Sequence, residues 1–313
     1  MIIPKYIFLV PYRNREPQKT HFIIYMKYIL EDYQANDYEI YFCNQNDNRP
    51  FNRGAIKNIG FIAMKQKYPN DYKNITFIFN DIDTIPATKN LLDFNTYKGV
   101  IKHYYGFDFT LGGIFSIKGE DFENIGGFPN FWGWGFEDKC IYNRALHNNI
   151  IVDRNNFFKV GDINILHVID DPVKIITRKD CWRIDENADT IYEINKLAYN
   201  IENIENNENI ENNENNENNE NNENNENNDN ERKVFTININ YFECAYDLKS
   251  ELIYSQNIAL EKTIKKDNKY SEKHMKKHSF IDNNFNNLNI KNDKNDKNDR
   301  NKYFRLNGKL FKY

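Results

Sequence analysis

Three short apolar runs mark the first part of the chain, at residues 6–10, 38–43 and 75–79. Each is too short for a helix, is rich in β-branched and aromatic side chains, and ends in polar residues, which predicts buried strands. Between the first two, Phe22, Met26, Ile29, Leu30 and Tyr33 recur three or four positions apart, the spacing that lines up one helix face. Ile56, Ile59 and Ala63 repeat that spacing between the second and third runs. Alternating strands and helices predict an α/β fold, Rossmann-like, with a mostly parallel central sheet whose ligands bind beyond the carboxyl ends of the strands.

Farther along, residues 111–117 read as a strand weakened by Gly112 and Gly113, and residues 121–125 as a short helix closed by Gly126 and Gly127. Residues 137–146 read as a helix, and residues 163–170 as an apolar strand carrying His167. From 201 to 232 the pattern collapses into Asn-Asn-Glu triplets with almost no apolar side chain, and disorder is expected there. Residues 233–240 alternate again as a strand does. The tract is therefore expected to be a loop insertion in one domain, made of residues 1–200 and completed by 233–240. Closure entropy grows only with the logarithm of loop length, so such an insertion costs little. Residues 241–313 are Lys- and Asn-rich and end in a Lys-Asn-Asp repeat; weak helix followed by disorder is expected.

Composition changes this picture in two places. The abundance of Asn, Lys, Ile and Tyr, with a mean hydropathy of −0.83, fits an AT-rich coding sequence, so an isolated Asn or Lys says little. The net charge is −4, yet residues 201–231 hold eleven acids and no base, so the rest of the chain is mildly basic. That excess suits a small anionic ligand such as a nucleotide better than a nucleic-acid groove. Cys43, Cys140, Cys181 and Cys244 are scattered without metal-site or disulfide spacing. The apolar N-terminus, broken by Pro4 and Lys5, reads as a first strand and not as a signal peptide. No run approaches the roughly 18 apolar residues of a membrane span, and a cytoplasmic protein is expected.

The chemistry concentrates in Phe131-Trp132-Gly133-Trp134-Gly135-Phe136-Glu137-Asp138. Glycines on both sides of Trp134 let that ring act as a mobile lid, and Glu137 and Asp138 fall at a helix start, where negative charge is favoured. Asp81-Ile82-Asp83 ends the third strand. On its own it is more often a solvated turn; beside a basic edge it suits a divalent metal held against a diphosphate, Mg²⁺ or Mn²⁺ by the hardness of its oxygens. Arg13 and Arg15 follow the first strand, and Arg53 follows the second after a loop, in Phe51-Asn52-Arg53. A guanidinium fork matches a phosphate, and Phe51 can stack on a base. The backbone at Gly113 can approach a sugar closely. His167 by itself is more often a core histidine than a ligand.

Taken in order, these blocks resemble the β1,4-galactosyltransferase family, inverting enzymes of the GT-A nucleotide-sugar-binding fold. The matching stretches are Pro11-Tyr12-Arg13-Asn14-Arg15, Phe51-Asn52-Arg53, Asp81-Ile82-Asp83-Thr84-Ile85-Pro86, Leu111-Gly112-Gly113, Gly126-Gly127-Phe128-Pro129-Asn130 and the tryptophan block ending at Asp138. The resemblance implies that Pro11, Tyr12, Arg13, Arg15, Phe51 and Arg53 line a UDP site. It implies Asp83 and His167 as ligands of Mn²⁺, Asp81 near the ribose and donor sugar, and Trp134 at the diphosphate. Asp138 becomes the catalytic base and Glu137 orders the acceptor. The expected activity is metal-dependent transfer of galactose or N-acetylgalactosamine from a UDP-sugar to a glycan or glycoconjugate hydroxyl. An N-acetylgalactosaminyltransferase of the same fold and a non-catalytic sugar- or nucleotide-binding module are the rival readings.

Four positions depart from the family pattern. Phe136 replaces a glycine, Lys139 replaces an acid that helps grip the acceptor sugar, and Asn164 stands where a second metal-binding side chain is usual. Asp170 is a candidate extra ligand. Thr110 replaces the tyrosine of galactose-specific members, which leaves room for a bulkier donor sugar.

Overall fold

The computed structural model describes residues 2–168, 189–204 and 233–246, together with Arg183 and the short strands 175–177, 255–257, 303–306 and 309–312. The predicted strands are present: β1 (Tyr6–Tyr12), β2 (Tyr38–Gln45) and β3 (Thr76–Asn80) pair in parallel with β1 in the middle. The helices between them are α1 (Glu16–Ile29) and α2 (Arg53–Lys67). Beyond β3 come β4 (Thr84–Pro86), β5 (Val100–Gly106), β6 (Ile114–Lys118), α3 (Gly119–Asn124) and α4 (Glu137–His147). Then follow β7 (Ile151–Asp153), β8 (Phe158–Lys159), β9 (Ile165–His167), β10 (Ile175–Thr177), β11 (Asn195–Asn203), β12 (Lys233–Glu243) and β13 (Ser255–Asn257).

Among the described residues the main sheet runs β11-β12-β2-β1-β3-β6-β5-β7, with β8 beside β5. Its centre is parallel from β12 to β3, whereas β6 and β11 run antiparallel to their neighbours. Alternate residues of β1 feed the two faces, as a two-residue period requires. Ile7 and Leu9 join Tyr41, Cys43 and the α2 residues Ile56 and Ile59 on one side. Phe8, Val10 and Tyr12 join Phe42 and the α1 residues Phe22 and Met26 on the other. The sheet is thus buried on both sides, and its strands read as continuous apolar runs for that reason.

Several boundaries differ from expectation. Tyr33 lies past the end of α1, in a turn whose backbone bonds to Leu30. Leu111, Gly112 and Gly113 belong to the loop before β6 and not to a strand, because Gly113 has φ +71° and turns the chain back along β5. The strand holding His167 is short, and β9 pairs antiparallel with β4 outside the main sheet; Asp170 lies outside the described residues. The first domain does not stop at residue 200, and the insertion does not begin at 201, since β11 continues through Asn203, paired with Phe235. Its partner β12 runs on to Glu243, past the expected 240. Of the expected disordered insertion, residues 205–232 lie outside the described residues. So does most of the expected tail, in which the described elements past Glu243 are strands: β13 pairs with β10. Residues 259–313 form a separate unit containing the antiparallel pair β14 (Tyr303–Leu306) and β15 (Lys309–Lys312). Among the described residues no helix is long and apolar enough to cross a membrane.

Candidate active site

Arg53 is the first residue of α2, a helix start capped by the Asn52 side chain, which accepts from the Ala55 amide at 3.0 Å. A cation there is opposed by the helix dipole. Three carboxylates outweigh that cost. Arg53 Nη1 donates to Glu137 Oε1 at 2.6 Å and to Asp138 Oδ1 at 2.8 Å, and Nη2 donates to Asp81 Oδ1 at 2.5 Å. Residues from the ends of β3 and the start of α4 therefore converge on one guanidinium. Burial disfavours the Arg53 charge, but Asp138, Asp81 and Glu137 hold it firmly protonated.

Glu137 and Asp138 occupy the first turn of α4, where the helix dipole favours them. Burial, then the charge of Asp138, raises the Glu137 carboxyl above its usual range. Its Oε2 is buried with no hydrogen-bond partner among the described residues, an acceptor that a ligand hydroxyl would satisfy. Burial also pushes the Asp81 carboxyl up, yet the neighbouring Arg53 and Lys57 charges prevail and hold it below its usual range.

Asp83, just before β4, and His167, at the end of β9, lie together at one end of that strand pair, with Val168 N–H donating to Asp83 O at 2.8 Å. Asp83 Oδ1 lies 3.9 Å from His167 Nε2. Two bonds of roughly 2.0–2.2 Å can span such a gap, and a carboxylate with an imidazole suits Mn²⁺ as well as harder ions. The pair therefore fits a divalent metal. Tyr105 Oη lies 3.3 Å from His167 Nδ1, placed to accept that proton and so leave Nε2 free to ligate. No group of three or more metal-ligating side chains occurs among the described residues, so a metal's further ligands would come from donor phosphates and water. The Asn164 amide is turned to Asp162, at 2.9 Å. Arg15 Nη2 donates to Asp83 Oδ2 at 2.9 Å, yet burial, then Asp81, keeps the Asp83 carboxyl above its usual range.

The two tryptophans separate. Trp132 is buried, stacks on Phe242 at 5.5 Å and donates its Nε1–H to Tyr246 O at 3.0 Å. The Arg49 guanidinium lies 4.9 Å from the Trp132 ring and 4.4 Å from the Phe242 ring. Trp134 is 41% exposed, next to Gly135 with φ +95°, so one ring of the pair is packed into the fold and the other faces solvent. On the other side of the loop, Asn130 donates its backbone N–H and its Nδ2–H to the two oxygens of Asp189, at 2.5 and 2.6 Å.

The structure brings Arg15, Arg53, Asp81, Asp83, Glu137, Asp138 and His167 to one region, linked by the contacts above. Gly113 joins them through its carbonyl, which accepts the Asp81 amide at 3.0 Å. A Cβ on it would fall 2.4 Å from Tyr105 O, so only glycine fits. Pro11 is buried at the end of β1, and Phe51 packs, half-buried, on the α2-side core. Tyr12 and Arg13 also make contacts within the fold. Tyr12 turns to the α1 side, packs on Phe42 and bonds Glu16, because its place in β1 is out of phase with Pro11 and Arg13. Arg13 holds the loop after β2 through Asp47 O, at 2.7 Å, and Arg49 O. A polar hollow of about 410 Å³ is lined by Tyr12 and Arg13 themselves together with Asn44, Asp47 and Asn238.

Sequence reasoning missed Lys57. Its Nζ is 3.4 Å from Asp138 Oδ1 and 3.8 Å from Asp81 Oδ1, and burial with the Arg53 charge lowers its pKa. The signal was present: a lysine four residues after Arg53 shares its helix face. His103 and Arg154, also missed, hold the loop before β6 and had no local signal.

Residues 3–98 match the family described as the N-terminal region of glycosyl transferase group 7, and residues 98–168 the N-terminal domain of galactosyltransferase. Mouse β-1,4-galactosyltransferase 1 is 34% identical over 165 residues, 49% of this chain and 39% of that protein. Chinese hamster (Cricetulus griseus) β-1,4-galactosyltransferase 4 is 26% identical over 213 residues, 61% of this chain and 59% of that one. The chain thus spans about two fifths to three fifths of the length of these curated relatives. A Drosophila β1,4-galactosyltransferase 7 mutant, in complex with manganese, UDP-Gal and xylobiose, superposes with a TM-score of 0.59 at 21% identity, covering 80% of this chain and 98% of that one. The fold is that of the GT-A glycosyltransferases. By its sequence, the chain belongs to glycosyl transferase group 7, the family of the β-1,4-galactosyltransferases.

Proposed function

We propose that the protein is a metal-dependent inverting glycosyltransferase that moves galactose or N-acetylgalactosamine from a UDP-sugar to a sugar hydroxyl. The observation that carries this reading is the placement of Asp138. Its Oδ1 is taken up by Arg53 and Lys57, while Oδ2 stands against the bare Cα of Gly112, where an added Cβ would lie 2.5 Å away. Asp138 thus offers one oxygen to an acceptor hydroxyl. It takes the proton as the acceptor oxygen bonds to the anomeric carbon, and the bond from that carbon to UDP breaks on the opposite side. The buried Glu137 Oε2, without a hydrogen-bond partner among the described residues, is suited to orient a second acceptor hydroxyl. Asp83 and His167 would hold the metal, which when bound supplies Lewis-acid stabilisation of the leaving diphosphate. The manganese and UDP-Gal in the Drosophila complex support this ligand choice.

One observation favours N-acetylgalactosamine as donor. Thr110 is small and buried, and its hydroxyl donates to Phe107 O at 3.3 Å, which leaves its lone pairs to accept from an acetamido N–H. Phe107 and Phe109 stack on each other at 5.5 Å.

The test is a screen of UDP-galactose and UDP-N-acetylgalactosamine with sugar acceptors, with Mn²⁺, Mg²⁺ and excess chelator. Transfer is expected to be fastest with Mn²⁺ and lost in chelator, and Asp138→Asn is expected to cost about 10²–10⁴-fold while UDP still binds. Full turnover in chelator, or a near-normal rate in Asp138→Asn, would refute the reading. A strong preference for UDP-galactose would refute the acetamido donor alone.

A further inference from the structure

The loop between β5 and β6 reaches Asp138 directly: Leu111 N–H donates to Asp138 O at 2.9 Å, and Gly112 forms the wall beside the carboxylate. Behind that loop, two side chains grip its backbone. His103, buried on β5, places Nε2 at 2.9 Å from Gly112 O and 3.0 Å from Tyr105 O. Arg154, just past β7, donates Nε–H to His103 Nδ1 at 3.0 Å and Nη2–H to Thr110 O at 3.1 Å.

We infer that His103 and Arg154 are positioning residues for the catalytic base, a bracket that sets Gly112 and Leu111 against Asp138. A guanidinium has no lone pair to offer, so Nδ1 must accept from Arg154 and the ring proton must sit on Nε2. That tautomer donates to both carbonyls at once, Tyr105 O before the loop and Gly112 O near its end. Arg154 adds a third carbonyl in between. The loop is therefore pinned at three points by two side chains that bond its backbone.

Protonating Nδ1 would break the bracket, because two donors would then face each other. Burial, then the Arg154 charge, pushes the His103 pKa down to about 4, so the ring stays neutral through the ordinary working range. The His103 ring also packs on Phe157, at 4.8 Å, and Arg154 lies over Tyr142 at 5.1 Å, which fixes both partners in place.

This inference rests on the reading of Asp138 as base, and its test separates the two. In the full-length protein, ¹⁵N spectra of the histidine rings are expected to show His103 with its proton on Nε2 at pH 7, and Arg154→Met is expected to remove that fixed tautomer. His103→Phe is expected to lower the transfer kcat at least ~10-fold, since misplacement by about 1 Å costs on the order of 10²-fold. UDP affinity is expected to stay within about twofold, as the bracket does not touch the nucleotide. His103→Gln places an N–H where Nε2 was and is expected to recover the rate to within several-fold. A proton found on Nδ1, a wild-type rate in His103→Phe, or equal losses in the Phe and Gln variants would overturn the inference. A wild-type protein that binds UDP yet transfers nothing overturns the underlying reading and the inference together.

Discussion

Lys57 Nζ lies 3.4 Å from Asp138 Oδ1, although only 1% of the lysine side chain is exposed. A buried ammonium is tolerable only among carboxylates, and its removal leaves those carboxylates short of countercharge. Lys57→Met is expected to lower the unfolding free energy by about 3 kcal/mol, read from urea titration. Combined with Asp138→Asn, the loss is expected to fall short of the sum by about 1 kcal/mol or more. Additive losses would show that the two charges do not sense each other.

Phe136 caps α4 with φ +67°, the left-handed region that costs a side-chain-bearing residue roughly 1–2 kcal/mol. The ring is partly exposed and recovers little of that cost by burial. Phe136→Gly is therefore expected to raise stability by about 1 kcal/mol, and the β-branched Phe136→Val to lower it. Thermal unfolding of the two variants checks the order, and a destabilised glycine variant would mean that the ring contributes more than the strain removes.

Asp189 is buried against Asn130, and burial raises its pKa to about 6. An acid raised on folding binds more protons in the folded than in the unfolded state between pH ~4 and 6. Its contribution is thus greatest at low pH and is lost as pH rises through 6, by about 3 kcal/mol in full. Asp189→Asn cannot titrate. The stability of the wild type relative to that variant is expected to fall between pH 4.5 and 7, and a flat difference would place the Asp189 carboxyl in its ordinary range.

The strands flanking the Asn-Glu tract meet at its mouth, where Ile204 N–H donates to Val234 O at 3.0 Å. Replacing residues 206–230 with a short Gly-Ser turn joins ends that are already paired. Melting temperature is expected to change by no more than about 2 °C and transfer by no more than about twofold. A large drop in either would assign the tract a packing role.

The sheet centre was legible because β1, β2 and β3 are buried on both faces and write themselves as apolar runs, while Phe22 with Met26 and Ile56 with Ile59 declare the helices. Asp81, Asp83, Arg53, Glu137 and Asp138 were legible because they follow strand ends or start helices, positions that chain order alone exposes. What escaped was tertiary. Nothing around Tyr12 announces that its ring packs on Phe42 and its hydroxyl bonds Glu16. His103 and Arg154 lie 51 residues apart and meet because β5 pairs with β7. The role of Trp132 depends on Phe242, from a strand far along the chain.

That last dependence sets an order of events during synthesis. The stretch matched to the family ends at residue 168, yet the fixed end of the active-site loop is held by Phe242 and the Tyr246 carbonyl. Arg49 joins the clamp through the Phe242 carbonyl, at 2.8 Å. A nascent chain that has already built Arg53, Asp83 and Asp138 therefore waits, with Trp132 unclamped, until the ribosome has translated the whole Asn-Glu tract and released β12. The fixed end of the loop is thus completed only by β12, which the chain reaches after the Asn-Glu tract.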